Sequence, residues 1–250
     1  MKKRIYFHIL IAIAILTLIS LSSCVKSKNN KISSEVFTAE IDRYAKAGQY
    51  EKAFELVEEL WDEHSKSVAL TVIADNYSEA GHKEKALETL NKALKLAEKI
   101  KEDMLLVYDK GDVLAEISGK AINFVETEHK DKALEIFNKT LELVKKLEDE
   151  NVRSNVLANI AGNCAEAGQK EKALELISQA LKISEEEIKD VHSKCYALAN
   201  IAKNYAKIGQ KEKALELLNK AQKIAKEIKD ETDRTDALSI ITSTYKDIKK

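Results

Sequence analysis

The chain has 250 residues, 44% hydrophobic and 33% charged, and its 41 basic and 42 acidic side chains give a formal net charge of −1. Basic residues such as Lys170, Lys172, Lys211 and Lys213 alternate with acids instead of gathering into a patch with aromatics, which argues against nucleic acid as a partner. The balance of apolar and charged residues suits amphipathic helices, and the length is enough to bury a continuous core.

At the start, Lys2, Lys3 and Arg4 precede an apolar run from Ile5 to Leu21, the charged opening and apolar centre of a secretory signal. Leu21-Ser22-Ser23-Cys24 follows, and it resembles the bacterial lipobox: a large aliphatic residue, two small ones and a cysteine. That resemblance implies cleavage before Cys24, acylation of its thiol and new N-terminus, and a membrane-anchored lipoprotein. Location is then extracytoplasmic: the periplasmic side of an outer membrane where the cell has one, as Val25 after the cysteine favours, and otherwise the cell surface. The alternative is an uncleaved anchor helix, because about 17 apolar residues is the lower limit for spanning a bilayer. Removing residues 1–23 takes three basic residues and no acid, so the remainder carries about −4. Residues 24–33 read as a lipidated tether. Extended, its polar part from Val25 to Ser33 spans about 30 Å at most, which keeps the rest of the chain near the lipid.

Residues 34–250 are one unit written about five times. Gly-Gln-Lys-Glu-Lys-Ala-Leu-Glu-Leu runs from Gly168 to Leu176 and returns from Gly209 to Leu217, with looser copies starting at Gly48, Gly81 and Glu128. The copies register on Ala53, Ala86, Ala133, Ala173 and Ala214, spaced by 33, 47, 40 and 41 residues, a solenoid period. Upstream of that alanine, Leu157, Ile160, Ala161 and Cys164, and likewise Leu198, Ile201, Ala202 and Tyr205, mark one face of a first helix. Downstream, Ala173, Leu174, Ile177 and Ala180 mark a second. Gly48, Gly81, Gly168 and Gly209 fall between the two, where a C-terminal cap asks for positive φ.

These residues resemble the tetratricopeptide repeats, whose unit carries such a Leu, Ala, Tyr, Gly, Ala and Ala series. The resemblance implies an all-α fold, a right-handed α-solenoid of about five helical hairpins plus a C-terminal capping helix. Proline, which usually ends the family's unit, is absent from the chain. The third unit departs most, with Lys120 where an aliphatic residue is expected and Glu128 in place of glycine. Between Ile100 and Ala133 it has seven more residues than the fifth unit between Ile188 and Ala214. Seven residues are about two helical turns, so either one long first helix bent at Gly111 or a loop over residues 109–112 absorbs them. The last stripe, Leu238 to Tyr245, belongs to a lone helix with polar positions at Asp233, Arg234, Asp236, Lys246 and Asp247, as a solenoid cap requires.

No metal-ligand or nucleophile spacing appears, so neither a cofactor nor a metal is expected, and the chain is not expected to be an enzyme. Cys164 occupies the slot of Tyr77 and Tyr205, while Cys195 lies near the start of the next first helix, about 15 Å away along the axis and out of disulfide range. His82 and His129 share the position of Gln169 and Gln210 just after the turn, an exposed polar site. The family's first helices line a concave groove, which here implies Thr71, Asp75, Ser78, Asn155, Asn159, Gly162, Tyr196, Asn200 and Lys203 as groove residues. Asn159 and Asn200 would hydrogen-bond the backbone of an extended or helical peptide. The basic set that clamps a C-terminal carboxylate in some family members is missing there. The leading expectation is therefore a membrane-anchored interaction scaffold for a protein or peptide partner in a cell-envelope assembly. A self-associating structural lipoprotein, a homo-oligomer built through solenoid edges or Trp61, is the alternative, and an envelope hydrolase the remote one.

Overall fold

The computed structural model describes residues 36–101 and 107–249, and all regular structure among them is helical. Helix α1 covers 36–46 and pairs with α2 (Tyr50–Glu59); the pairs continue as α3 (Glu63–Glu79) with α4 (Lys83–Ala97), and α5 (Val107–Ile122) with α6 (Lys130–Lys145). Then come α7 (Glu150–Glu166) with α8 (Lys170–Glu186), α9 (Val191–Lys207) with α10 (Lys211–Lys226), and the single α11 (Glu231–Lys249). The architecture is an α-solenoid of five hairpins and one further helix, as the periodicity requires. The leader of 1–23, the tether of 24–33 and Cys24 lie outside the described residues. No described helix is long and apolar enough to cross a membrane.

Four of the five hairpins turn on a glycine. Gly48, Gly81, Gly168 and Gly209 have φ of 72, 80, 78 and 87°, and no other described residue has positive φ. The amide after each glycine donates back to the carbonyl at the tyrosine slot, as from His82 to Tyr77 (2.8 Å) and from Gln169 to Cys164 (2.7 Å), which satisfies helix-end carbonyls. Glu84, Asp131, Glu171 and Glu212 occupy the first turn of the second helix, at the positive end of its dipole. First helices start differently, on aspartate. Asp62, Asp149 and Asp190 accept from the amides of Ser65, Val152 and Ser193 at 2.7–2.8 Å. This recurring cap is written in the chain as Asp three residues before Ser or Val.

Within a hairpin, one short side chain clasps the partner helix. Ser67 donates to the Ala93 carbonyl and Ser154 to that of Ala180, both at 2.9 Å; Cys195 holds the same slot and reaches the Ala221 carbonyl at 3.6 Å. Cys195 and Cys164 are free thiols, both buried.

The third unit resolves into two small adjustments. Helix α5 runs unbroken through residues 109–112, so no loop interrupts it there. A Cβ on Gly111 would sit 2.7 Å from Val156 and 2.9 Å from Val152, so that glycine marks the close approach of α5 to α7. Lys120 is in a polar slot, because it ion-pairs with Asp75 just as Asn163 and Asn204 reach across to the first helix before theirs. Leu114, Ile117 and Ala121 are then the core residues, buried at 0% exposure. Counting back from Ala133 misplaces them, since twelve residues separate Ala121 from Ala133 where nine separate Cys164 from Ala173. Three of the seven extra residues therefore fall in the turn. There, i→i+3 bonds such as Phe124 to Ala121 and Val125 to Ile122 make the connection, so Glu128 needs no positive φ. The other four precede Leu114.

Helix α11 buries Ala237, Ile241 and Ile248 and exposes Asp233, Asp236, Lys246 and Asp247. Thr242 stands where sister units have the buried Ala74, Ala161 and Ala202, and it is exposed. The outer face of α11 is therefore polar.

Candidate partner-binding groove

First helices pack on first helices. From α3 through α5, α7 and α9 to α11 each lies against the next, whereas α6, α8 and α10 have no Cα atoms within 8 Å of one another. From α5 onward closeness on one side and spreading on the other curve the stack, with the first helices on the concave side, whereas α4 still lies against α6. Small residues permit it: Ala69, Ala158 and Ala199 are at most 1% exposed, and glycines sit at the closest crossings.

A first helix in mid-stack is therefore covered by its own partner helix and by two neighbouring first helices. Only a narrow strip of each faces the groove. On α3 it holds Val72, Asp75 and Glu79, on α7 Asn155 and Asn159, and on α9 Tyr196, Asn200 and Lys203; Val72, Asn159 and Asn200 share one repeat position, as do Asn155 and Tyr196, and Asp75 and Lys203. Two clefts open along these strips. One of about 480 Å³ lies between α1 and α3 and includes Asp42, Lys46, Asp75 and Asn76. The other, of about 550 Å³, spans α7, α9 and α11 and brings together Asn155, Tyr196, Asn200 and Lys203 with His192 and Ile240.

Other expected groove residues fall elsewhere. Thr71 is wholly buried, its one hydroxyl hydrogen lying between the Val68 carbonyl at 2.7 Å and Glu116 Oε1 at 3.1 Å, at the junction of α3 and α5. Its repeat position belongs to Ala158 and Ala199, and that column of small residues was the available signal. Gly162 is buried against Asn204, while Ser78 is half-buried and lines neither cleft.

The asparagines bond chiefly to each other. Asn200 Nδ2 donates to Asn155 Oδ1 (3.0 Å) and Asn159 Oδ1 (3.1 Å), Asn204 Nδ2 donates to the Asn200 carbonyl (3.0 Å), and Asn155 Nδ2 to the Asn151 carbonyl (2.9 Å). An amide nitrogen has two hydrogens, so Asn200 has used its donors in tying α9 to α7. Asn159 enters this ladder only as an acceptor. The ladder holds the floor of the cleft, and its rim is Tyr196, Lys203 and His192. The rings of Tyr196 and His192 meet tilted at 56° with centroids 4.6 Å apart, and His192 Nε2 is buried without a hydrogen-bond partner. Burial first, then Asp236 and Asp233, push the Tyr196 hydroxyl above its usual range and keep it a donor.

Nothing in the described residues gathers three or more potential metal ligands. Burial pushes the Cys164 thiol up to about 12 and Cys195 to about 11, so neither is a ready nucleophile.

Such stacked hairpins define a repeat-solenoid binding fold. Tetratricopeptide-repeat profiles match residues 68–100, 124–186 and 154–227, together more than half of the chain, and the chain belongs to the tetratricopeptide-repeat proteins. A PPR-repeat profile matches residues 35–64, the first hairpin. No curated protein matches. Among solved structures, Ton1535 from Thermococcus onnurineus NA1 superposes with a TM-score of 0.56 at 20% identity over 83% of this chain, which spans only 57% of the Ton1535 chain. A Podosopora anserina putative kinesin light chain with nearly identical TPR-like repeats is similar over 78% of this chain and 97% of its own, at 21% identity and a TM-score of 0.42. At such identities the likeness concerns the fold alone.

Proposed function

We propose that the chain is a membrane-anchored scaffold that holds a protein or peptide partner along its first-helix groove, at the outer side of a cytoplasmic membrane or in the cell envelope. The tetratricopeptide-repeat fold is generally a non-catalytic scaffold that binds proteins or peptides, and its use here is binding combined with localisation. The observation that carries the reading is the cleft of about 550 Å³ across α7, α9 and α11, where a rigid amide floor carries an aromatic, a histidine and a lysine on its rim. Tyrosine offers a large contact area at small entropic cost, and Lys203 supplies a charge to a partner acid or backbone carbonyl. Anchoring rests on Leu21-Ser22-Ser23-Cys24.

Photo-crosslinkers placed at Tyr196 and Lys203 in cells are expected to capture the same partner, and one placed at Lys182 of α8, on a second helix, is not. Capture only from Lys182 would sink the groove assignment. Cys24→Ala is expected to release the chain from the membrane fraction; retention there favours an uncleaved anchor.

A further inference from the structure

We propose that the edge of the first hairpin bearing Trp61 and Val36 rests on the lipid surface, so that the solenoid stands on its anchored membrane edge-on. The proposal rests on the anchoring read from Cys24, and goes beyond it by fixing which surface meets the bilayer.

Among the described residues three large hydrophobic side chains are exposed: Val36 at 62%, Trp61 at 68% and Val191 at 42%. Hairpin topology places all three on one side of the array. Val36 opens α1, Trp61 follows the end of α2, which runs back antiparallel, and Val191 opens α9. All three thus mark the edge where first helices begin and second helices end. Both edges carry polar residues, Gln49, His82, Gln169 and Gln210 at the hairpin turns and Glu58, Glu59 and Glu63 beside Trp61, but among the described residues only the Trp61 edge exposes large hydrophobic side chains.

The chain coming from Cys24 enters α1 on the Trp61 edge. Twelve residues separate Cys24 from Val36. They reach about 40 Å at most, so the lipid held by Cys24 keeps this edge within that distance of the bilayer. Trp61 has the chemistry for that contact, since indole favours the membrane interface, with an apolar body and one N–H donor for the headgroup region. A single exposed side chain binds lipid too weakly by itself. Beside a covalent anchor it acts as a second, intramolecular contact, whose role is orientation.

Trp61 is the only tryptophan, so the native protein reports its own position. The full-length lipidated chain, reconstituted into phosphatidylcholine vesicles, is floated to establish anchoring and then compared in ordinary and brominated lipid. Bromine near the headgroup region is expected to quench Trp61 emission strongly and ordinary lipid to shift it to shorter wavelength. In a Trp61→Phe background, His82→Trp puts the probe on the opposite edge, where no quenching is expected; far-ultraviolet circular dichroism checks that this variant folds. A chain that fails to float overturns the anchor. One that floats with Trp61 unquenched, with both probes quenched equally, or with a blue shift that depends on protein concentration instead of lipid, overturns the orientation and leaves the anchor standing.

Discussion

Replacing Gly162 by alanine sets two effects of known sign against each other. Gly162 lies inside α7, and in an open helix the change would stabilise by about 1 kcal/mol. Here the new Cβ would stand 2.1 Å from Asn204 Oδ1 and 3.1 Å from its Cγ, on a side chain only 3% exposed. Asn204 must turn away and give up its bonds to the Asn200 carbonyl (3.0 Å) and Oδ1 (3.2 Å), or α7 and α9 must part. Lost hydrogen bonds of about 1 kcal/mol each, with overpacking of about 1–3 kcal/mol, outweigh the propensity gain. Gly162→Ala is expected to destabilise by about 1–3 kcal/mol in urea unfolding of the chain from Lys26 onward, followed by circular dichroism. Adding Asn204→Ala removes the clashing group, so the double variant should lose less than the two single losses combined. A Gly162→Ala chain as stable as the parent, or additive losses, would refute the close-crossing account of the concave row.

Gly168→Ala tests the other use of glycine: its Cβ would meet nothing within 4 Å, so only the strain at φ 78° remains, about 1 kcal/mol, and Gly168→Asn should cost less. Asp190→Ala should lower stability by about 1 kcal/mol through loss of the cap on α9. The hydroxyl and amide of Ser193 hold the Asp190 carboxyl below its ordinary value of 3.8, so the cap's contribution is whole above that pH and is lost as pH falls through the folded value. The difference between parent and variant in thermal melts should accordingly shrink in acid. Cys164 and Cys195 favour the neutral thiol when folded, so their contribution is whole below their ordinary value near 9 and lost as pH rises toward about 11–12. Both should resist a disulfide reagent at pH 8 until denaturant is added; rapid labelling of the native chain would contradict the burial.

The helices, their order and their turns were legible in the chain because each depends on neighbours close in sequence. Positive φ at Gly168 and Gly209, the acid in each second helix's first turn and the i, i+3, i+4, i+7 stripes are local requirements, so they recur from copy to copy, the glycine in all but the third. The third unit shows where that reading stops. Lys120 looks like a broken core position when counted from Ala133, and only its ion pair with Asp75 reveals that the turn, not the stripe, carries three of the additional residues. The groove was half legible. Tyr196, Lys203 and Asn155 can be placed on the first-helix face from periodicity, but whether a residue on that face meets solvent depends on how closely the next first helix lies. Thr71 is buried by α5, and Asn200 spends its donors on Asn155 and Asn159. The sequence by itself thus determined a capped stack of helical hairpins, whereas tertiary structure decided which strip of the concave side is open and which amides are already paired, because burial and pairing are made by residues some 40 positions away.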